Sequence, residues 1–343
     1  MTGREPLPSE CPEDTTRLPR VAVIVPAYGV AHLLGQALES LQAQTLQCWE
    51  CIVIDDGTPD DVASAVEPFL SDPRIRFLAT ENHGVSAARN TAVAYTSAPF
   101  IALLDGDDLL RRNHLATMVR DLEADPQVRI VTCNARVFGA VPQEYFSISG
   151  KQGTGDGSHG SFRDVLDRSF NVYIGSSFRR ADFDRIGGFD TDMAHAEDFD
   201  FWVRLMALGS YALYTDAVLG DYRVRSASAS ADTTKLHRGT IRTYQKLLAS
   251  EPEAQIARLL EELISENERE LSLESIIDRA ISDETLEGLG ELKRFTNGRH
   301  GPLLHACFHL WRHFPQLARP MLAIRKKAHS RGALYFPWQR EAS

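Results

Sequence analysis

A chain of 343 residues with 37 Lys and Arg against 47 Asp and Glu, a formal net charge of -10, has no basic excess with which to neutralise phosphates. That excludes a protein that lives on nucleic acid. Hydrophobic, charged and aromatic shares of 43%, 24% and 8% are ordinary globular values, so wholesale disorder is excluded, and the length suffices for one large domain or two.

In chain order, residues 1–19 form a polar, Pro-rich leader without an apolar signal core, expected to be disordered, and no run approaches transmembrane length. Arg20–Tyr28 is a β-branched, apolar strand, and Ala31–Ala43 places Leu33, Leu34, Ala37, Leu38 and Leu41 at helical spacing. A second buried strand, Cys51–Ile54, ends in Asp55, Asp56 and Gly57. Thr58 is expected to cap the next helix, with Pro59 at its first position and Asp60 and Asp61 in its first turn. The five cysteines, Cys11, Cys48, Cys51, Cys133 and Cys307, give one C-x-x-C but no second pair and no suitably spaced histidines, so no zinc site is expected. Cys51 reads as a buried core thiol, and the chain as cytoplasmic and disulfide-free. Arg74–Ala79 is a third, more polar strand and Gly84–Tyr95 a small-residue helix. The apolar run of Phe100–Leu110, FIALLDGDDLL, is a strand buried on both faces that breaks off in Asp105, Asp107 and Asp108. This βαβ series predicts a mostly parallel, right-handed, doubly wound α/β sheet.

The second half is mixed. Strands are expected at Val128–Phe138, Val172–Phe178, Tyr211–Tyr214 and Val218–Arg225. Helices are expected at Ser161–Arg168 and His195–Leu208, the latter with Phe199, Trp202, Val203 and Met206 on one stripe. Gln143–Gly160 is polar and rich in Gly and Ser, the composition of a mobile loop. From about Thr240 the pattern predicts three or four helices. The last, Leu303–Lys327, is basic and amphipathic: it packs on the catalytic domain or lies on a membrane surface.

Ligands of open α/β sheets bind outside the carboxyl ends of the strands, where Asp55/Asp56 and Asp105/Asp107/Asp108 would share one edge. Three acids around Gly106 repel one another unless something positive lies between them, and the simplest candidate is a hard divalent cation. The alternative is an Asx-rich turn capping the helix from Asn113 onward. A further acidic pair, Glu197 and Asp198, opens a helix, where the dipole also favours it. One metal-binding acid set plus one free carboxylate suits transfer of a group from a nucleoside diphosphate: the metal offsets charge on the leaving diphosphate, and the carboxylate takes the proton of the incoming hydroxyl.

The ordered motifs VAVIVPAY, CIVIDDGTPD, ENHGVSAARN, FIALLDGDD, GGFD, AEDFDFWVRL and YRVRSASAS resemble those of inverting GT-A glycosyltransferases of the large bacterial family 2, over roughly Arg20 to Ser230. The resemblance implies a GT-A domain over residues 20–239 (a nucleotide-binding half to 110, an acceptor-side half after it) and a helical C-terminal region over 240–343. It implies a nucleoside-diphosphate sugar donor, by default a UDP-sugar, and a carbohydrate, lipid-linked or small-molecule acceptor. It also implies these roles. Pro26, Ala27 and Tyr28 line the nucleobase pocket, and Asp55 and Asp56 accept from uracil and ribose. Asn82, Gly84 and Arg89 lie along the donor cleft, and Asp105 with Gly106 contacts ribose or sugar. Asp107 and Asp108 hold Mn²⁺ or Mg²⁺, Asp198 is the general base, and Glu197 and Trp202 are on the acceptor side.

In many relatives the final motif carries a histidine; here Tyr222-Arg223-Val224-Arg225 precedes Ser226, Ser228 and Ser230. A guanidinium cannot ligate a metal, but it holds diphosphate in two directions, so Arg223 or Arg225 is expected to supplement the cation. The stretch Gly150–Gly160 or those serines would act as lid. Gly155–Gly160 matches G-x-G-x-x-G with no strand before it, and His195-Ala196-Glu197 matches H-x-E with no P-C-x-x-C after it, so neither reads as a site. The rivals are a catalytically silent binding module on this scaffold and a sugar-phosphate nucleotidyltransferase. The latter needs a basic Gly-rich loop where PAYGVAHLL stands. The C-terminal helices are further candidates for dimerisation or peripheral membrane contact.

Overall fold

The computed structural model describes residues 18–141, 143–147, 157–225, 233–282, 284–296 and 302–330. Most of the leader, most of Gly150–Gly160 and the serines after Arg225 lie outside these residues. The chain divides into two compact units, Met1–Arg225 and Ser226–Ser343.

The first unit begins with the expected βαβ series: β1 (Val21–Ala27), α1 (Ala31–Gln42), β2 (Trp49–Asp56), α2 (Val62–Val66), β3 (Ile75–Thr80), α3 (Val85–Ala94) and β4 (Phe100–Leu103). These strands pair in parallel in the order β3-β2-β1-β4. Val21, Ala22, Val23, Ile24 and Val25 are all fully buried, as a central parallel strand covered on both faces demands. Each of the valines and the isoleucine contributes about 1.5–3 kcal/mol relative to an exposed one. Cys51 lies in this core, and burial pushes its thiol far above the ordinary range.

The second half comprises β5 (Leu109–Leu110), α4 (His114–Ala124), β6 (Val128–Gly139), β7 (Tyr145–Phe146), β8 (Ser158–Gly160), α5 (Phe162–Leu166), β9 (Ser177–Arg179), α6 (Arg180–Ile186), α7 (Glu197–Met206) and β10 (Tyr211–Val224). The sheet continues β4-β9-β6-β10-β5, with β9 antiparallel to both β4 and β6, and β10 parallel to β6. Two reversals through β9 return β6 and β10 to the direction of β4, so the carboxyl end of β10 reaches the same edge as that of β4. The architecture is the GT-A fold.

Several local expectations are corrected. Asp61, not Thr58, caps α2, its carboxylate accepting from Ser64 N at 3.0 Å. The expected strand at Val172–Phe178 shrinks to Ser177–Arg179, because the chain before it turns, with Ser176 N bonded to Tyr173 O at 3.1 Å. Tyr211–Tyr214 and Val218–Arg225 are one strand, irregular between Thr215 and Val218. The end of the Gly-rich stretch, Ser158–Gly160, is a strand pairing with β10. Cys48 is disulfide-bonded, so the chain is not disulfide-free; half-buried just before β2, its sulfur is not sealed into the core as the thiols of Cys51 and Cys133 are.

The second unit contains α8 (Thr233–Leu248), α9 (Ala254–Ile281), α10 (Thr285–Phe295), α11 (Pro302–His313) and α12 (Ala318–Ser330). The residue 239/240 boundary falls inside α8. The expected single helix Leu303–Lys327 is two, because Pro315 cannot continue α11 and the chain makes a short 3₁₀ turn at Pro315–Leu317. No helix among the described residues is long and apolar enough to cross a membrane.

Candidate active site

Register fixes the edge. Ala27 lies opposite Asp55 and Ile24 opposite Leu103, so the acids following β2 and β4 emerge side by side. Asp55 Oδ1 accepts from Thr58 N at 2.9 Å, and Asp56, 4% exposed, accepts from His83 N at 2.9 Å. Gly57 has φ +63°, and a Cβ there would stand 2.5 Å from Asn82 N, so only glycine lets these two loops pack backbone to backbone. Asn82 is exposed and accepts from Gly84 N at 3.2 Å, with Gly84 opening α3. Tyr28 is 52% exposed beside this edge and Pro26 is half-buried, whereas Ala27, expected to line the nucleobase pocket, is fully buried, main chain included.

Sequence reading gave Asp60 only a helix start, yet it reaches back to α1. Its carboxylate accepts from Gly29 N at 3.1 Å and Ala31 N at 2.7 Å, and Thr58 Oγ1 accepts from Gly29 N at 2.8 Å. Against partial burial, which raises it, the Thr58 hydroxyl and these amides hold the Asp60 carboxyl below its ordinary value. Loop 55–60 is thereby tied to the turn that carries Tyr28.

After β4 the chain turns at once, with Asp108 N bonded to Asp105 O at 2.9 Å. A Cβ at Gly106 would meet Val30 Cγ2 at 2.9 Å and Pro26 O at 3.2 Å, so the turn lies directly against the end of β1. Arg89 from α3 runs beneath it, 2% exposed. Its Nη2 donates to Asp105 Oδ1 at 2.9 Å and its Nη1 to Glu197 Oε1 at 2.9 Å. One guanidinium thus joins the sheet edge to the start of α7, where Glu197 and Asp198 stand. Ala196 before them has φ +55°, a left-handed conformation that costs a non-glycine residue energy and marks a constrained turn. Asp198 Oδ1 accepts from Phe199 N at 2.7 Å. Asn90 clamps the preceding Gly-Gly-Phe-Asp turn from both sides, its Oδ1 accepting from Phe189 N and its Nδ2 donating to Phe189 O, each at 2.8 Å.

From β10 come two further arginines. Arg223 donates its amide to Asp108 Oδ1 at 2.7 Å and its Nε to Asp107 O at 2.8 Å. Arg225 pairs with Asp107, Nε to Oδ2 at 2.5 Å, and its Nη1 donates to Gly29 O at 3.3 Å. Negative charge still dominates. Burial first, then the Asp105 charge, pushes Asp107 up although Arg225 opposes it, and the same two causes push Asp108 further. Burial and the Asp198 charge likewise raise Glu197 against the pull of Arg89.

The structure therefore brings Tyr28, Asp55, Asp56, Asn82, Gly84, Arg89, Asp105, Gly106, Asp107, Glu197, Asp198, Arg223 and Arg225 around the carboxyl edge or onto the elements that abut it. Besides Ala27, two expected residues do not present themselves. Trp202 is 2% exposed, packed at 5.8 Å from the Phe178 ring and 5.1 Å from Phe201, so it is a core aromatic and not the wall of a cleft. Asp108 is 2% exposed, with Oδ1 taken by the Arg223 amide and Oδ2 enclosed without a partner, so it braces the turn and does not face a ligand.

The donor chemistry fits a hard cation in a reduced form. No group of three or more His, Cys, Asp or Glu among the described residues is gathered as a complete ligand set. Asp105 and Asp107 both bring carboxylate oxygens to this turn of the edge, in a surplus of negative charge that a cation would offset.

Residues 22–187 match the family model for glycosyl transferase family 2. Among curated relatives, the chain is 39% identical over 100 residues to the UDP-Glc:alpha-D-GlcNAc-diphosphoundecaprenol beta-1,3-glucosyltransferase WfgD of Escherichia coli, a match covering 29% of this chain and 39% of that one. The chain spans from 13% to 39% of the length of the curated relatives it matches. Among solved structures it resembles S. aureus TarS 1-349 in complex with UDP-GlcNAc, with TM-score 0.60, 14% identity, and 92% and 93% of the two chains covered. It also resembles the mannosyltransferase PcManGT of Pyrobaculum calidifontis in complex with GDP-Man and Mn²⁺, with TM-score 0.59, 20% identity, and 92% and 87% covered.

Proposed function

We propose that this chain, which belongs through its residues 22–187 to glycosyl transferase family 2, a family of transferase enzymes, moves a sugar from a nucleoside-diphosphate sugar to an acceptor hydroxyl with inversion at the anomeric carbon. The observation that carries the reading is the Arg89 bridge, which holds the helix start bearing Asp198 to the sheet edge bearing Asp105 and Asp107. Donor and base must face each other across the reacting carbon, and this buried contact sets that spacing before any ligand arrives.

In this reading the nucleobase lies beside Tyr28 and Pro26, with Asp55 and Asp56 towards uracil and ribose. Asn82 and Gly84 flank the cleft, and Asp105 with Gly106 faces ribose or sugar. Asp107 holds a divalent cation, Mn²⁺ or Mg²⁺, which when bound neutralises charge building on the leaving diphosphate. Arg225, already paired with Asp107, and Arg223 add guanidinium charge at the same place. Asp198 takes the proton of the acceptor hydroxyl, whose oxygen attacks opposite the diphosphate; the bond to the diphosphate breaks as the new glycosidic bond forms. Glu197 keeps the Arg89 bridge. A UDP-sugar is the first donor to try.

The test is donor hydrolysis, with water in the acceptor's place, across a panel of UDP-, GDP- and TDP-sugars. One donor is expected to release its nucleoside diphosphate slowly with Mn²⁺, and not with chelator or in Asp107→Ala. Absence of hydrolysis and of a thermal shift with every nucleotide would leave a silent binding module on this scaffold.

A further inference from the structure

The C-terminal helices α11 and α12 carry two apolar stripes. The inner one, Trp311, Ala318 and Leu322, is buried with Leu273, Ile277 and Leu292 in the core of the helical unit, and accounts for how the pair is held. The outer one is Leu310, Phe314, Leu317, Met321 and Ile324, exposed to between 37% and 66%. These are five of the twelve large apolar side chains exposed among the described residues, gathered into fifteen consecutive positions. Leu310 lies on α11, Phe314 and Leu317 at the 3₁₀ turn between the helices, and Met321 and Ile324 three positions apart on α12. Isolated exposed leucines need no explanation; a continuous stripe beside a complete core does.

Charge says what covers it. From Leu292 to Arg340 the sequence holds ten of the chain's 37 Lys and Arg and none of its 47 Asp and Glu, in a protein of net charge -10. Arg325 and Lys326 pair with Glu274 and Asp278 of α9, the first buried and the second at the surface, and Arg319 Nε donates to Thr285 Oγ1 of α10 at 2.7 Å. Arg312, Lys293 and Arg294 are exposed, as are His309 and His313 beside the stripe. The exposed apolar residues thus share α11 and α12 with the exposed Arg312, His309 and His313, and neither helix carries an Asp or Glu. The outer face is also bent at Pro315, where a partner helix would need a straight seam for knobs-into-holes packing and a fluid surface needs none. Neither helix can cross a bilayer.

We propose that the outer face of α11 and α12 docks on an anionic lipid surface, with Phe314, Leu317 and Ile324 entering the headgroup boundary and Arg312, on helices that carry no acid, meeting the lipid charge. The proposal does not rest on the transferase reading. The test is sedimentation of the full chain with phosphatidylcholine vesicles, with or without about 30% phosphatidylglycerol, an anionic lipid that attracts basic segments. The chain is expected to pellet with the anionic vesicles, to stay in solution with the neutral ones, and to be released by 0.5 M salt, a concentration that shortens screening to about 4 Å. Phe314→Asp/Ile324→Asp is expected to cut the bound fraction at least about tenfold, since two apolar anchors and two charges are changed, without moving the thermal transition, both side chains being exposed. Equal pelleting of wild type and variant, or none with any vesicle, overturns the proposal. So does a dimer in vesicle-free sedimentation that the same variant dissociates, which would assign the face to a second copy.

Discussion

Asp198→Asn is expected to lower turnover by roughly 10²–10⁴-fold, the usual contribution of a positioned general base, with the donor dissociation constant changed by less than about twofold. Asparagine keeps the shape and the acceptor oxygen that receives Phe199 N at 2.7 Å, so the start of α7 is preserved while basicity is lost. Initial rates with saturating donor, set beside a donor titration, separate the two effects. A loss confined to donor affinity would move Asp198 from proton transfer to binding. An unchanged rate would remove it from the chemistry.

Arg89→Met is expected to destabilise the first unit by about 3 kcal/mol, at the low end for breaking a buried ion pair because Asp105 and Glu197 keep some contact with water. The guanidinium is 2% exposed, whereas the side chains of Asp105 and Glu197 are 31% and 17% exposed. Methionine fills much of the volume, so the loss is mainly of charge: two carboxylates are left facing each other near Asp198. Adding Glu197→Gln removes part of that repulsion and is expected to recover part of the stability, which a double-mutant cycle in urea measures. Arg89→Lys is expected to behave closer to methionine than to arginine, since one ammonium cannot reach both carboxylates in the forked geometry used here. Melting within about 0.5 kcal/mol of wild type, the range of ordinary surface changes, would contradict this account of the bridge.

The parallel half of the sheet was legible because β1, β2 and β4 are buried on both faces and read as largely apolar runs, and because β2 and β4 run into acids. The carboxyl-edge clustering of Asp55, Asp56, Asp105 and Asp107 followed from that alone. What could not be read depends on contacts distant in sequence. Arg89 was expected along the donor cleft, but its role as a bridge needed α7, more than a hundred residues later, to deliver Glu197 to it. Asp60 looked like a helix-start acid and serves α1 instead. Trp202 lies on a stripe whose burial or exposure periodicity cannot decide, and Phe178 and Phe201 bury it. Asp108 differs from Asp107 by one position in a tight turn, enough to send its carboxylate inward to the Arg223 amide. The split of α11 from α12 was signalled by Pro315, and the disulfide at Cys48 by nothing in its spacing.

The central claim is that a nucleoside diphosphate binds at this edge against Asp107. It is met most directly by calorimetric titration of UDP and GDP into wild type, Asp107→Ala and Arg225→Ala, each with Mn²⁺ and with chelator. The account predicts binding of one of them with Mn²⁺, weakened about tenfold or more in Asp107→Ala, the scale of losing one charge-assisted contact to phosphate or metal. Arg225→Ala is expected to weaken the chelator-treated protein further, because the guanidinium is then the cation left beside Asp107. Equal affinity in wild type and Asp107→Ala, with and without Mn²⁺, would contradict it.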